Sequence, residues 1–176
     1  MSVAPRYIPH YTIEDYQSWE GDWELIDGVP ISMTPSPFGP HERIVSRLSY
    51  QIQGQIQRNQ CACEIYTNLD WIISDDTVIR PDLMVVCGEQ PPRHLERPPA
   101  LMVEVLSDST RGRDLNAKRT LVRENAVPHY LVIDPSERTV LQIVDDGQQT
   151  FDIAQLVSLS LEDDCQINID CSKLFD

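Results

Sequence analysis

The sequence predicts a mixed α/β fold in a single domain that spans residues 1–176. Short apolar runs of strand length alternate with segments of helical periodicity, as they do in α/β proteins. A chain of 176 residues is long enough to bury one core and short enough to favour one domain. We see no internal repeat, low-complexity tract or linker in it.

Local signals set the order of the predicted elements. Thr12, followed by an acidic first turn, is a typical helix cap, and Asp27-Gly28 is typical of a tight hairpin turn. Apolar residues at three- and four-residue spacing mark the long helix that begins at His41. The predicted elements are a helix at 12–19, strands at 23–26 and 29–33, a helix at 41–58, strands at 64–68, 70–73, 83–86 and 101–106, a helix at 113–125, strands at 130–133, 139–144 and 151–154, and a short final strand in the tail.

Composition predicts a soluble, cytoplasmic protein without a membrane association. Hydrophobic residues make up 41% of the chain, and no apolar run has the length of a membrane span or the form of a signal peptide. The net charge of −14 opposes nucleic-acid binding, which depends mostly on Lys and Arg. A local basic face remains compatible with this total, but any such binding should be weak and salt-sensitive.

The five cysteines are expected to be reduced, mostly buried thiols. An odd number without an export signal argues against a disulfide framework. Cys61 and Cys63 lie too close together for a typical zinc site, and no histidine pair follows them.

Glu104 is the first candidate for a functional role. It lies in the middle of the apolar run 101–106, which is typical of a strand covered on both faces. An ionised carboxylate there is costly unless it is paired, hydrogen-bonded or bound to a metal. A buried ion pair and a functional site are therefore both open for Glu104.

Asp82 repeats this pattern at the entry to the apolar strand 83–86. If this strand and 101–106 are neighbours, the alternation of side chains lets Asp82 and Glu104 converge. Two carboxylates close together repel each other, and a hard divalent cation such as Mg²⁺ relieves that repulsion. Asp82 alone would be interpreted as a cap or turn residue, and the pair is what favours a metal site.

Lys118 follows on the next predicted helix. Its spacing from Asp114 suits an exposed i, i+4 ion pair. Alternatively, its ammonium group points into the carboxylate site, where it could orient or deprotonate water and stabilise phosphorane charge. The sequence leaves both alternatives open.

These residues occur within a longer pattern that resembles a known family. Pro81-Asp82 followed by Glu104-Val105-Leu106 resembles the P-D…(D/E)-x-K signature of the restriction-endonuclease-like superfamily. The wider match resembles the Uma-type endonucleases, long catalogued as a domain of unknown function, from about Tyr11 to Phe175. The segments that carry it are Trp23 to Gly28, the proline loop ending at His41, Arg80-Pro81-Asp82, Val103 to Ser107 with Ser109-Thr110, Asp114, Lys118, Val127 to Tyr130 and Val132 to Pro135.

The resemblance implies a restriction-endonuclease-like mixed central β-sheet flanked by helices, and a Mg²⁺ or Mn²⁺ site built on Asp82 and Glu104. It also implies that Glu24 joins the acidic cluster as a further metal ligand, although a solvated hairpin acid is an equal alternative. His41 could reach the same cleft to contact substrate, or it could have only a structural role. The chain departs from the signature at Leu106, where lysine is usual, and a lysine moved to the next helix, Lys118, would replace it.

The function expected from these observations is metal-dependent endonucleolytic cleavage of DNA, with Asp82, Glu104, Lys118 and Glu24 as the catalytic set. Basic candidates for phosphate contact are Arg43, Arg47, Arg111, Arg113 and Arg119, of which Arg111 and Arg113 are the expected substrate-binding pair. Most of these arginines could equally be partners in surface salt bridges. Two alternatives stay open: a catalytically silent binding or scaffold domain, and a metal-dependent hydrolase of RNA or nucleotides. A homodimer would suit cleavage of both strands, but the sequence does not demonstrate one.

Overall fold

The computed structural model describes residues 9–33, 39–107, 112, 116–144 and 147–175. The helices are α1 (Ile13–Tyr16), α2 (Gly39–Asn59), α3 (Ala117–Glu124) and α4 (Ser172–Phe175). The strands are β1 (Trp23–Ile26), β2 (Val29–Ser32), β3 (Cys63–Tyr66), β4 (Trp71–Ser74), β5 (Thr77–Ile79), β6 (Leu83–Cys87), β7 (Leu101–Val105), β8 (Tyr130–Asp134), β9 (Thr139–Val144), β10 (Gly147–Phe151), β11 (Leu156–Ser160) and β12 (Gln166–Asp170).

The central sheet has six strands in the order β10-β9-β8-β7-β6-β3. It is mixed, because β7 and β8 run parallel while the other neighbours are antiparallel. A second, antiparallel sheet has the order β2-β1-β5-β4, and β11 pairs with β12 in a separate hairpin. The predicted mixed sheet flanked by helices is therefore confirmed.

Each face of the central sheet has its own apolar layer. On one face, the buried side of α2 and the β11–β12 hairpin pack against alternate residues of β6 and β7 such as Leu83 and Val103. On the other face, α3 and the four-stranded sheet cover Met84, Met102 and Tyr130. Because both faces are covered, the middle strands are apolar along their whole length. A polar side chain on β7 therefore lies in a dry interlayer.

Turn chemistry explains the first hairpin. Asp27 and Gly28 both have positive φ, 50° and 73°, as a type I′ turn requires. The predicted hairpin is confirmed, as is α2, which runs two residues before His41 and one beyond Arg58. Residues 34–38, between the hairpin and α2, lie outside the described part of the chain.

Other element predictions were wrong or incomplete. The strand β5 was missed because three residues, Thr77–Ile79, are too few to show a period. The strand predicted at 151–154 lies earlier, at β10, and the tail forms the hairpin β11–β12 rather than one short strand. The helix predicted from Arg113 is described from Ala117, and residues 113–115 lie outside the described part.

The expectation of five reduced thiols was also wrong. Cys63 and Cys87 lie directly opposite each other on antiparallel β3 and β6 and form a disulfide. Cys61 forms a second disulfide with Cys165, 104 residues away. Cys171 is a buried free thiol. Its pKa is raised to about 11, mainly by burial and then by the charge of Asp170. Spacing along the chain could not reveal these pairs because the fold brings their partners together.

Within the described residues, no helix combines the length and the apolar character needed to cross a membrane.

Candidate active site

Asp82 and Glu104 meet at the end of the β6–β7 pair. Leu83 lies opposite Val103 in this antiparallel register, so Asp82, one residue earlier, lies level with Glu104 on the other strand. The backbone N–H of Val105 donates to Asp82 Oδ2 at 2.7 Å. The expectation that these strands are neighbours and that their acids share one end is confirmed.

Lys118 reaches this pair from α3. Its Nζ donates to Glu104 Oε1 at 2.6 Å and lies 2.8 Å from Glu24 Oε1. All three side chains are buried, with Lys118 1% exposed. The alternative of an exposed ion pair for Lys118 is therefore wrong. A buried ammonium group between two carboxylates is stable only as a set, because removal of one charge leaves its partners unpaired in a dry environment.

Glu24 enters the site from the four-stranded sheet. It lies on β1, is fully buried, and accepts a hydrogen bond from the backbone N–H of Arg80 at 2.9 Å. The alternative of a solvated hairpin acid is therefore wrong. The contacts of Glu24 with Lys118 and Arg80 couple the second sheet to the end of β6, where Asp82 lies.

Arg80 is itself held by acidic neighbours. Its Nε donates to Asp70 Oδ1 at 2.7 Å and its Nη1 to Asp22 Oδ1 at 2.8 Å. Burial works against the charge, but the hydrogen bond and charge of Asp70 raise the pKa of Arg80 above its ordinary value. The Tyr16 hydroxyl also donates to Asp70 Oδ2, at 3.1 Å. This network stiffens the segment that carries Asp82.

Sequence reasoning missed this network. Arg80 forms hydrogen bonds with Asp70 and Tyr16, which lie 10 and 64 residues away from it along the chain. No spacing rule connects them, because the contacts depend on the folding of α1 against the second sheet. The only sequence signal was an arginine directly before Pro81-Asp82.

His41 holds Asp82 from the first turn of α2. Its Nε2 lies 3.1 Å from Asp82 Oδ2, and its Nδ1 lies 3.3 Å from Glu42 Oε1. Burial opposes the charged imidazole, but the hydrogen bond and charge of Asp82 raise the pKa of His41. Burial likewise raises the pKa of Asp82, but His41, the Val105 N–H and the charge of Lys118 outweigh it and lower that pKa. His41 is 9% exposed, so its contacts favour the structural alternative.

Two of the remaining predicted residues that the structure describes, Arg119 and Leu106, lie outside this cluster. Arg111 and Arg113 lie outside the described part of the chain. Arg119 donates to the Gln148 side chain at 3.0 Å. Leu106, where the signature has lysine, is buried in the apolar layer beside Met102.

The carboxylates of this cluster suit a hard divalent cation only as a site with two protein ligands. Carboxylate oxygens are ligands that Mg²⁺ and Mn²⁺ accept, and Mg²⁺ commonly uses one or two carboxylates with several waters. In the described part of the chain, no three His, Cys, Asp or Glu residues form a group that could hold a metal ion. Asp82 and Glu104 therefore fit a two-carboxylate site completed by water, and the contacts of Glu24 are those of a partner to Lys118.

The fold and this arrangement define a mixed α/β protein with a buried cluster of charged side chains at the end of its central sheet. The structure is similar to a solved structure from Anabaena variabilis ATCC 29413, described as "a putative nuclease belonging to DUF820". The TM-score is 0.77 at 19% identity, and the match covers 93% of this chain and 97% of the other. At this identity the likeness shows the fold alone.

A family model decides the classification. The model of the Uma2 family, described as "Putative restriction endonuclease", matches residues 13–170. The chain belongs to this family. No curated protein matches it.

Proposed function

We propose that this protein is a metal-dependent endonuclease that hydrolyses phosphodiester bonds in DNA. The observation that carries the proposal is the buried group Glu24–Lys118–Glu104 beside Asp82, because three charged side chains are costly in the dry interlayer of a sheet. Such clusters are frequent at functional sites. Family membership supports the nuclease class, and the DNA substrate and the cation belong to the proposal.

In the proposed mechanism Asp82 and Glu104 hold the cation. Mg²⁺ or Mn²⁺ bound there would polarise the scissile phosphate and lower the pKa of a bound water. Asp82 is kept ionised and oriented by His41 and by the Val105 N–H, so it is ready to bind a cation without reorganisation.

Lys118 has two tasks in this proposal. In the free protein its single ammonium group pairs with both Glu104 and Glu24. Glu24 would remain the partner of Lys118 if Glu104 held the cation, and Lys118 could then direct an N–H towards the attacking water or the phosphate oxygen. Glu24 then acts as the residue that positions Lys118, and its earlier assignment as a metal ligand stays a prediction.

A plasmid-cleavage assay tests the proposed function. Supercoiled plasmid is incubated at low salt with Mg²⁺ or Mn²⁺ and the parent protein or one of three variants, Asp82→Ala, Glu104→Ala and Lys118→Ala. We expect cleavage by the parent that EDTA abolishes and that each variant lacks. Equal cleavage by parent and variants would place the activity elsewhere or in a contaminant. If the parent leaves plasmid, RNA and nucleotides intact, the protein is a silent binding domain and the proposal fails.

A further inference from the structure

The outer face of α2 differs in charge from the rest of this acidic protein. The chain has 28 acidic residues against 14 basic ones, yet the stretch from Arg43 to Cys63 contains no Asp or Glu. It contains three arginines instead, Arg43, Arg47 and Arg58. Within the residues that the structure describes, neither Arg47 nor Arg58 forms an ion pair with a carboxylate. Arg47 donates to the Leu174 backbone carbonyl at 3.2 Å, a contact that does not neutralise its charge. The positive charge of this face is therefore available to an external anion.

This face forms one wall of an open groove. The groove has a volume of about 990 Å³ and lies between α2 and the β11–β12 hairpin. Its walls include Arg47, Tyr50, Arg58, Leu156 and Lys173. One acid, Asp170, also lines the groove, and its carboxylate lies 3.1 Å from Lys173 Nζ. The cations exceed the acids in the groove even after this pair is set aside.

The polar residues beside the groove are already occupied. The Gln51 and Gln55 side chains each donate to and accept from the backbone of β12, and Asn59 donates to Gln166. This ladder of amides covers the edge of β12. An external partner would therefore contact the outward stripe of Arg47, Tyr50, Gly54 and Arg58, whose three- and four-residue spacing aligns them on one side of the helix.

Two residues of the stripe lack an internal explanation. Tyr50 is 82% exposed, which is unusual for a large aromatic side chain. Gly54 lies inside a 21-residue helix, where glycine is destabilising relative to alanine. A Cβ at Gly54 would meet only the Arg58 guanidinium, at an ordinary 3.7 Å, so no internal packing requires glycine. The absence of a side chain at Gly54 permits an external partner to approach the backbone of α2 closely.

We propose that this stripe, with Lys173, binds the sugar-phosphate backbone of a DNA duplex. The inference rests on the proposed function, since it names where that substrate lies. Its 21 residues make α2 about 32 Å long, which matches roughly nine base pairs at 3.4 Å each. The first turn of α2 carries His41, which contacts Asp82, so the stripe and one contact of the candidate active site lie on the same helix. A second copy of the chain would bring two cationic stripes together.

Fluorescence anisotropy of a labelled duplex tests the surface without relying on cleavage. A duplex of roughly 20 base pairs, about twice the length of α2, is titrated in EDTA at several salt concentrations. The variants are Arg47→Gln with Arg58→Gln, Gly54→Leu, and Arg123→Gln as a matched control, because Arg123 is exposed on α3. Hydrolysis of the small diester bis(p-nitrophenyl) phosphate with Mn²⁺ and sedimentation velocity are measured in parallel.

We expect the double arginine variant to bind weakly and to lower the slope of log affinity against log salt by about two, roughly 0.9 per lost phosphate contact. Gly54→Leu should bind at least about tenfold more weakly while its melting temperature rises, since leucine is the better helix former. Arg123→Gln should bind like the parent. If Gly54 had only a structural role, Gly54→Leu would not weaken DNA binding while it raised the melting temperature.

The proposal is overturned if the parent does not bind duplex, or if the α2 variants bind like the parent. It is also overturned if the variants convert a dimer to monomers without a change in DNA binding. If the parent hydrolyses the diester but the α2 variants bind DNA as well as the parent does, the proposed nuclease function stands and the proposed DNA-binding surface is refuted. If the α2 variants lose DNA binding but the parent hydrolyses no substrate, the proposed DNA-binding surface stands and the proposed nuclease function is refuted.

Discussion

Replacement of Lys118 by methionine removes the charge on which two buried carboxylates depend. Its Nζ lies 2.6 Å from Glu104 and 2.8 Å from Glu24, and all three residues are at most 3% exposed. Loss of one partner of a buried ion pair costs about 3–5 kcal/mol. For a chain of this size we expect the melting temperature to fall by about 6–20 °C, at about 2–4 °C per kcal/mol.

Urea denaturation at neutral pH measures this loss. Lys173→Met is the matched control, because Lys173 also pairs with a carboxylate but is 70% exposed. The control should change stability by less than about 0.5 kcal/mol. Adding Glu24→Gln and Glu104→Gln to Lys118→Met should restore much of the loss, since no unpaired charge then remains buried. A loss under about 1 kcal/mol for Lys118→Met would refute the reasoning.

Three further predictions concern stability and orientation. Burial and then the charge of Asp70 raise the pKa of Tyr16 from 10.0 to about 12. The stability this hydroxyl contributes is therefore complete below about pH 10 and lost as pH rises towards 12. Urea midpoints at alkaline pH should show the parent losing about 1 kcal/mol, after allowance for solvent screening, relative to Tyr16→Phe. Reduction of the Cys61–Cys165 disulfide, which closes a 104-residue loop, should lower the unfolding free energy by about 4–5 kcal/mol, and a Cys61→Ser variant that is as stable as the parent would contradict this. His41→Asn should lower metal-dependent cleavage per folded molecule by about 10- to 100-fold, as for other residues that orient a metal ligand. Cleavage at the parent's rate would contradict this role for His41.

The candidate acids could be predicted because their signals are local. A carboxylate inside an apolar strand, as at Glu104, is anomalous in a window of six residues. Alternation along two such strands was enough to expect convergence with Asp82, and the register confirmed that they are neighbours. The direction of Lys118 could not be predicted, because one helix can present the same residue to solvent or to the sheet. Its burial depends on how α3 packs against β7 and β8.

Features that depend on contacts between residues far apart along the chain could not be predicted from the sequence. The disulfides join residues 24 and 104 positions apart, and the contact of Tyr16 with Asp70 joins residues 54 apart. The short strand β5 forms only because β1 and β4 flank it. The role of Glu24 as a partner of Lys118 has the same origin, since the two residues belong to different layers.

The proposed nuclease activity requires that Asp82 and Glu104 together bind a divalent cation. Titration with Mn²⁺, followed by electron paramagnetic resonance, measures this without any substrate. Asp82→Asn and Glu104→Gln change charge and not shape, and urea denaturation checks that both remain folded. We expect the parent to bind Mn²⁺ and both variants to bind at least about tenfold more weakly. Equal Mn²⁺ affinity in the parent and in both folded variants would contradict the account.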